Sequence, residues 1–147
     1  MAGSRVIGVD LGLKRVGVAI GDESTCMAHP IAVLPYEGQD KLASTLTLMA
    51  AAHGAGTFVV GLPRNMDGSM GEAARRSVKF ARKLEKISGL TSILCDERLT
   101  TSQAEKEMIA LGKSRKSRRL TIDEVAAVLI LENYLRQKTL TGQSEGQ

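Results

Sequence analysis

Apolar and polar positions divide the chain into short strand-like runs at the start and helical repeats further on. Residues 5–10 (RVIGVD) and 14–21 (KRVGVAIG) are rich in apolar and β-branched side chains and are separated by Leu11, Gly12 and Leu13. Two such runs around a short glycine-bearing link predict a β-hairpin. A third strand is expected around residues 26–34, where Pro30 removes a backbone donor and so confines the strand to an edge or breaks it. The period then changes. Leu42, Leu46 and Met49 recur at helical spacing within residues 39–53, and Gly54 and Gly56 supply a stop signal. TFVVGL (57–62) reads as a short buried strand, and PRNMDGSMG (63–71) as a polar, glycine-bearing loop.

Ser69 and Glu72 stand at capping-box spacing ahead of the next helix. Ala73, Ser77, Phe80, Ala81, Leu84 and Ile87 fall on one face of it, and Arg75, Lys79, Arg82, Lys83 and Lys86 form a basic stripe on the other. Residues 91–95 predict a strand that runs into DERLTT (96–101), and a helix is expected over residues 102–111. GKSRKSRR (112–119) carries five basic residues without apolar periodicity, the pattern of a flexible loop. Thr121 and Glu124 repeat the capping-box spacing, and the VAAVLIL run that follows is apolar nearly all round, so a helix from Thr121 to about Arg136 should be buried against the sheet. Residues 139–147 are polar and are expected to form a frayed, flexible tail. Hairpins first and strand-helix-strand units later imply an α/β protein with a mixed five-stranded sheet and helices on both faces, in one domain over residues 1–138.

Composition narrows the class. A chain of 147 residues can bury one core and is too short for two lobes closing on a ligand. Hydrophobic residues at 43%, charged residues at 24% and a mean hydropathy of −0.05 describe a folded, water-exposed protein. No apolar run reaches bilayer length and the start has no signal-peptide pattern, so a cytoplasmic address without a membrane partner is expected. Cys26 and Cys95 are far apart and lack metal-ligand spacing, which points to reduced, mostly buried thiols; His29 and His53 are isolated and receive no role. The net charge of +4 and isoelectric point near 9.3 lean toward a polyanionic partner. With 3% aromatic residues and no Trp, such a partner would be held through phosphates rather than stacked bases.

The chemistry resides in acids. Asp10 ends an apolar run, GVDLG, where a carboxylate is costly unless something positive compensates it; Asp also occupies hairpin turns for ordinary hydrogen-bonding reasons, and the residue alone does not choose. Asp96 and Glu97 end the last predicted strand, and because sheet side chains alternate, only one of the two can face the same cleft as Asp10; a cap or a salt bridge with Arg98 is the bland explanation. Asp123 lies in the first turn of the buried helix, where the helix dipole favours a carboxylate and where simple capping would also place one. If Asp10, Glu97 and Asp123 meet at one sheet edge, their repulsion calls for a cation. Oxygen-only ligation selects Mg²⁺ or Mn²⁺, which can activate water for attack on phosphorus.

GVDLGLKRVGVAIGD (8–22), VVGLPRNMDGSMG (59–71), DERLTT (96–101) and TIDEVAAVLILENYL (121–135) resemble, in order, the successive motifs of the YqgF family, also called RuvX. The resemblance spans nearly the whole chain apart from the tail. It implies a ribonuclease-H-like fold related to RuvC-type resolvases, with Mg²⁺ or Mn²⁺ held by Asp10, Glu97 and Asp123, which match the family's acids; Asp96 matches equally well in sequence, and strand alternation, which points it elsewhere, gives it a supporting role. It also implies nuclease activity, either in maturing the 5′ end of the small-subunit ribosomal RNA precursor or on four-way DNA junctions. Arg64 departs from the usual GLPxNxDG residue while Asn65, Asp67 and Gly68 keep the motif.

Substrate phosphates then find candidate partners in Arg64, Asn65 and Arg98 and in the loop cluster Lys113, Arg115, Lys116, Arg118 and Arg119. Two rival classes differ in their tests. An actin-like ATPase shares a DLGxxxxGVA-type first loop but needs a second lobe, and tight ATP binding would favour it. A non-catalytic nucleic-acid or ribosome-binding module gains nothing from three acids facing phosphates. A monomer and a homodimer are both compatible with the sequence.

Overall fold

The β-branched runs at the start pair with each other. β1 (Arg5–Leu11) and β2 (Arg15–Asp22) form an antiparallel hairpin in which Asp10 faces Gly17, closed by the Gly12 N–H donating to the Arg15 carbonyl at 3.1 Å. A computed structural model describes residues 5–97 and 121–145, with side chains as far as 138 in the last helix. β3 (Met27–Pro35) pairs antiparallel with β2 at the sheet edge, and its register slips beside Pro30, as a strand containing a proline should. β4 (Ala55–Leu62) and β5 (Thr91–Asp96) add in parallel beyond β1, giving the order β3-β2-β1-β4-β5. The mixed five-stranded sheet predicted from the sequence is the observed one.

Alternation along the strands builds two cores. Ile7, Val9, Val16, Val18, Phe58 and Val60 face α1 (Gln39–His53) and α2 (Glu72–Ser88), while Val6, Ala19, Val59 and Cys95 face α3 (Ile122–Glu145). α1 has the predicted bounds and ends at Gly54 in the left-handed region, φ 68°. The capping box at α3 forms, with the Thr121 N–H donating to Glu124 Oε1 at 2.9 Å and the Glu124 N–H to Thr121 Oγ1 at 3.1 Å.

Four expectations are corrected. Ser69 and Glu72 make no capping box, because Ser69 donates its N–H and hydroxyl to Asp67 within the loop and Gly71 occupies the cap position. On α2 the buried side chain is Ala74 rather than Ala73, and Ile87 is exposed, so the apolar stripe runs through 74, 77, 80, 81 and 84. Cys26 is exposed at a turn with φ 59°, whereas Cys95 is buried. α3 continues past Arg136 to Glu145, since no proline or glycine interrupts it before Gly142. The helix expected over 102–111 and the basic loop at 112–119 lie outside the described residues.

α3 seats unusually close to the sheet because the strands beneath it carry glycines. A Cβ at Gly8 would come within 2.9 Å of the Leu131 Cβ, and one at Gly21 within 2.9 Å of the Leu135 Cδ1. At Gly17 it would overlap the Asp123 carbonyl oxygen. Ala127 and Leu131, both fully buried, fill the space that these absent side chains leave. Replacement Gly17→Ala should therefore destabilise the protein by about 1–3 kcal/mol through overpacking. A urea-unfolding midpoint equal to that of the wild type would show that α3 does not rest on this strand.

Candidate active site

β1, β4 and β5 run in the same direction, so their carboxyl ends share one edge of the sheet, the edge at which α/β folds bind ligands. Asp10 stands at that end of β1, and Glu97 is the first residue after β5. Alternation puts Leu94 in the core beneath α1 and α2 and Cys95 in the core beneath α3, so Asp96 and Glu97 part to opposite faces. Glu97 thus shares the face of Asp10. Both line a cleft of about 510 Å³ together with Gly61, Pro63, Glu72 and Arg76.

Gly61 is required at this point. A Cβ there would strike the Glu97 carboxylate and crowd the Ile130 methyl, so the bare backbone of β4 provides the place in which the carboxylate sits. The Glu97 N–H donates to the Leu62 carbonyl at 3.1 Å, extending the β4–β5 ladder by one residue and fixing where the side chain departs.

Asp123 begins α3, and its carbonyl lies directly over Gly17, the strand partner of Asp10. Its carboxylate takes a 3.1 Å hydrogen bond from Arg15 Nε, an arginine whose side chain is 62% exposed. Two of the three predicted acids therefore meet in the cleft, and the third stands at the neighbouring strand with its carboxylate engaged by Arg15. Among the described residues no three His, Cys, Asp or Glu side chains form a finished metal cage.

Asp96 points away, to Arg64 at 3.5 Å. Arg64 also donates through Nε to the Gly68 carbonyl at 3.0 Å, so this arginine ties the 63–71 loop to the end of β5. Asn65 is exposed, with its Nδ2 donating to Ser69 Oγ at 2.9 Å. Arg98, Lys113, Arg115, Lys116, Arg118 and Arg119 lie outside the described residues.

Arg76 is a cleft residue that sequence reasoning missed. Its Nη2 donates to the Gly12 carbonyl at 2.9 Å, and its guanidinium carbon stands 4.4 Å from the centre of the Tyr36 ring. One carbonyl and one ring face hold it on the cleft wall beside the acids. Helical spacing alone puts Arg76 between the apolar face and the basic stripe; only the approach of Gly12 and Tyr36, remote in sequence, distinguishes it from its neighbour Arg75.

The model of the family described as RuvX, Holliday junction resolvase, matches residues 4–137. The chain is 40% identical over 136 residues to a protein of Geobacillus kaustophilus named "Putative pre-16S rRNA nuclease", covering 91% of this chain and 99% of that protein. A protein of Bacillus pumilus with the same name is 40% identical over 133 residues, covering 89% and 96%. Among solved structures, Thermus thermophilus RuvC in complex with a Holliday junction superposes with a TM-score of 0.61 at 12% identity, over 92% of this chain and 96% of that one. The Fowlpox virus resolvase with junction DNA superposes at 0.54 and 12% identity, over 91% and 98%. These two show the fold, which is that of RuvC-like resolvases of the ribonuclease H class.

Cys95 lies under the cleft, 6% exposed, with Asn133 Nδ2 3.6 Å from its sulfur. Burial above all, with the nearby Glu97 and Asp96 charges adding, pushes its thiol up from the ordinary cysteine value, against the lowering effect of Asn133. A thiol reagent at pH 7–8 should thus react with one cysteine of the native protein, Cys26, and with both only in denaturant. Rapid native labelling of Cys95, read by peptide mass, would contradict the packing of α3 on β5.

Proposed function

Because the chain belongs to the RuvX family, we propose that it is a metal-dependent endonuclease that hydrolyses nucleic-acid phosphodiesters, with the 5′ end of precursor 16S rRNA as its substrate. The observation that carries the reading is the meeting of Asp10 and Glu97 in one cleft at the carboxyl edge of a RuvC-like sheet. The name borne by the relatives supports the RNA precursor as substrate. The cytoplasm is the compartment that this substrate implies.

Asp10 and Glu97 would hold Mg²⁺ or Mn²⁺, with Asp123 as a third donor. The residues fit such an ion, since all are hard oxygen donors and the missing side chain at Gly61 leaves the Glu97 carboxylate its place. A bound ion of this kind lowers the pKa of a coordinated water and neutralises charge that develops on the phosphate. The protein's own groups do the positioning. The sheet ladder holds the backbone at Asp10 and Glu97, and Arg76 keeps a positive charge on the cleft wall. An exposed pair such as Arg15–Asp123 contributes only about 0.2–1 kcal/mol, so it could open to leave the Asp123 carboxylate as a donor for the ion and Arg15 as a contact for the phosphate. Arg64, Asn65, Arg98 and the cluster Lys113, Arg115, Lys116, Arg118 and Arg119 complete the proposed phosphate contacts.

A second reading takes the family's description literally and makes the substrate a four-way DNA junction. Symmetric cutting of a junction would require two copies related by a two-fold axis. Side-by-side digestion of precursor ribosomal RNA and a four-way junction, with product ends mapped, separates the two; cleavage of the junction alone would reverse the assignment.

Asp10→Asn and Glu97→Gln should each lower cleavage by about 10²–10³-fold, the size of loss seen when one preorganised group that stabilises a transition state is removed. Nucleic-acid binding should persist in both. Asp123→Asn should weaken Mn²⁺ binding as read by calorimetry. Full activity of Asp10→Asn would remove Asp10 from the proposed site, and failure of the highly purified wild type to cleave RNA or DNA with Mg²⁺ or Mn²⁺ would leave a non-catalytic binding module as the better description.

A further inference from the structure

We infer that α2 is a phosphate track, in which the exposed row Arg75, Lys79, Arg82 and Lys86, entered from the cleft at Arg76, takes the sugar-phosphate backbone leading away from the bond to be cut. The identity of the ligand as nucleic acid rests on the nuclease reading above; the row itself does not.

At 100° per residue these four side chains fall within an arc of about 60°, and at 1.5 Å rise they extend over about 16 Å. All four are exposed, on the side of α2 opposite the buried Ser77, Phe80, Ala81 and Leu84. The helix begins at the cleft, where Glu72, Ala73 and Arg76 line the wall, so the row starts at the candidate active site and leads outward. Its length matches on the order of five nucleotide steps at 3.4 Å along one strand.

The charges around the row are otherwise spoken for. Lys83 is drawn aside to Asp40 on α1, at 2.6 Å. Glu85 accepts the Ser92 N–H at 2.9 Å on the flank, and Glu72 stands at the cleft end. Among the described residues no carboxylate comes within ion-pair distance of Arg75, Lys79, Arg82 or Lys86. Glu72 and Glu85 stand three residues from Arg75 and Arg82, but within the row the successive neighbours 75/79, 79/82 and 82/86 carry like charge and repel one another. An external polyanion removes that repulsion.

The test compares two variants that lose the same charge, Lys79→Ala/Lys86→Ala on the row and Lys41→Ala/Lys138→Ala away from it. Both are made in the Asp10→Asn background and measured without divalent cations, so that turnover plays no part. The probe is an RNA duplex of roughly 20 base pairs with a single-stranded 5′ extension, together with its DNA counterpart, titrated by fluorescence anisotropy from about 50 to about 200 mM salt. The row variant should bind roughly 10-fold more weakly at intermediate salt and lose about 2 from the slope of log K against log salt. The control should keep the slope. Urea midpoints of the variants establish that each is folded.

Equal losses in the two variants would overturn the track, since α2 would then contribute net charge and nothing more. If the slopes differ as expected while wild-type protein cleaves neither RNA nor DNA, the nuclease reading falls and the track stands. If the wild type cleaves and the slopes are equal, the reverse holds.

Discussion

The contact on which the site depends is the seating of α3 against a sheet face stripped of side chains. Gly8, Gly17, Gly21 and Gly61 lie beneath this helix, and at each a methyl group would meet a helix atom or the Glu97 carboxylate. Close approach brings the backbone of Asp123 onto β2 opposite Asp10 and lets Ala127, Leu131 and Leu135 bury completely. Any larger residue in the line would lift the helix and carry its first turn away from the strand ends. The same small residues that close the core thus determine where a carboxylate on the helix can stand.

Sheet geometry adds the second constraint. Three parallel strands place their carboxyl ends together, and the two-residue period of a strand sends adjacent acids in opposite directions. Glu97 turns toward Asp10, while Asp96 turns to Arg64 and holds the 63–71 loop against the end of β5. One acidic dipeptide serves two purposes, a donor in the cleft and an anchor for its wall. The loop in turn leads into α2, which lines the cleft with Arg76 and carries its basic row outward.

Charge on this protein is organised rather than merely in excess. Acids collect at the carboxyl edge of the sheet, Arg15 and Arg76 stand beside them, and exposed cations continue along α2. Negative charge close to the reacting bond would repel a phosphate unless a cation intervenes, whereas positive charge at a distance draws the backbone in and orients it. Both conditions are those of a hydrolase acting on a polyanion.

Much of this was legible in the linear chain. Strand runs, the period of α1, the capping box at Thr121 and Glu124 and the apolar run of α3 follow from local rules, since each depends on residues within a turn or two of one another. Alternation alone was enough to separate Asp96 from Glu97. Where a side-chain oxygen had two local choices, as at Ser69, the loop partner Asp67 prevailed over the helix cap, and spacing could not reveal it. The diversion of Asp123 to Arg15, the space at Gly61 that admits Glu97, and the fixing of Arg76 by Gly12 and Tyr36 all join residues 36 to 108 positions apart. The pattern along the chain determined which elements form and which faces they bury, because those are matters of neighbours in sequence. Which acids meet, and which arginine stands over them, was decided only when packing brought distant backbone within a few ångströms.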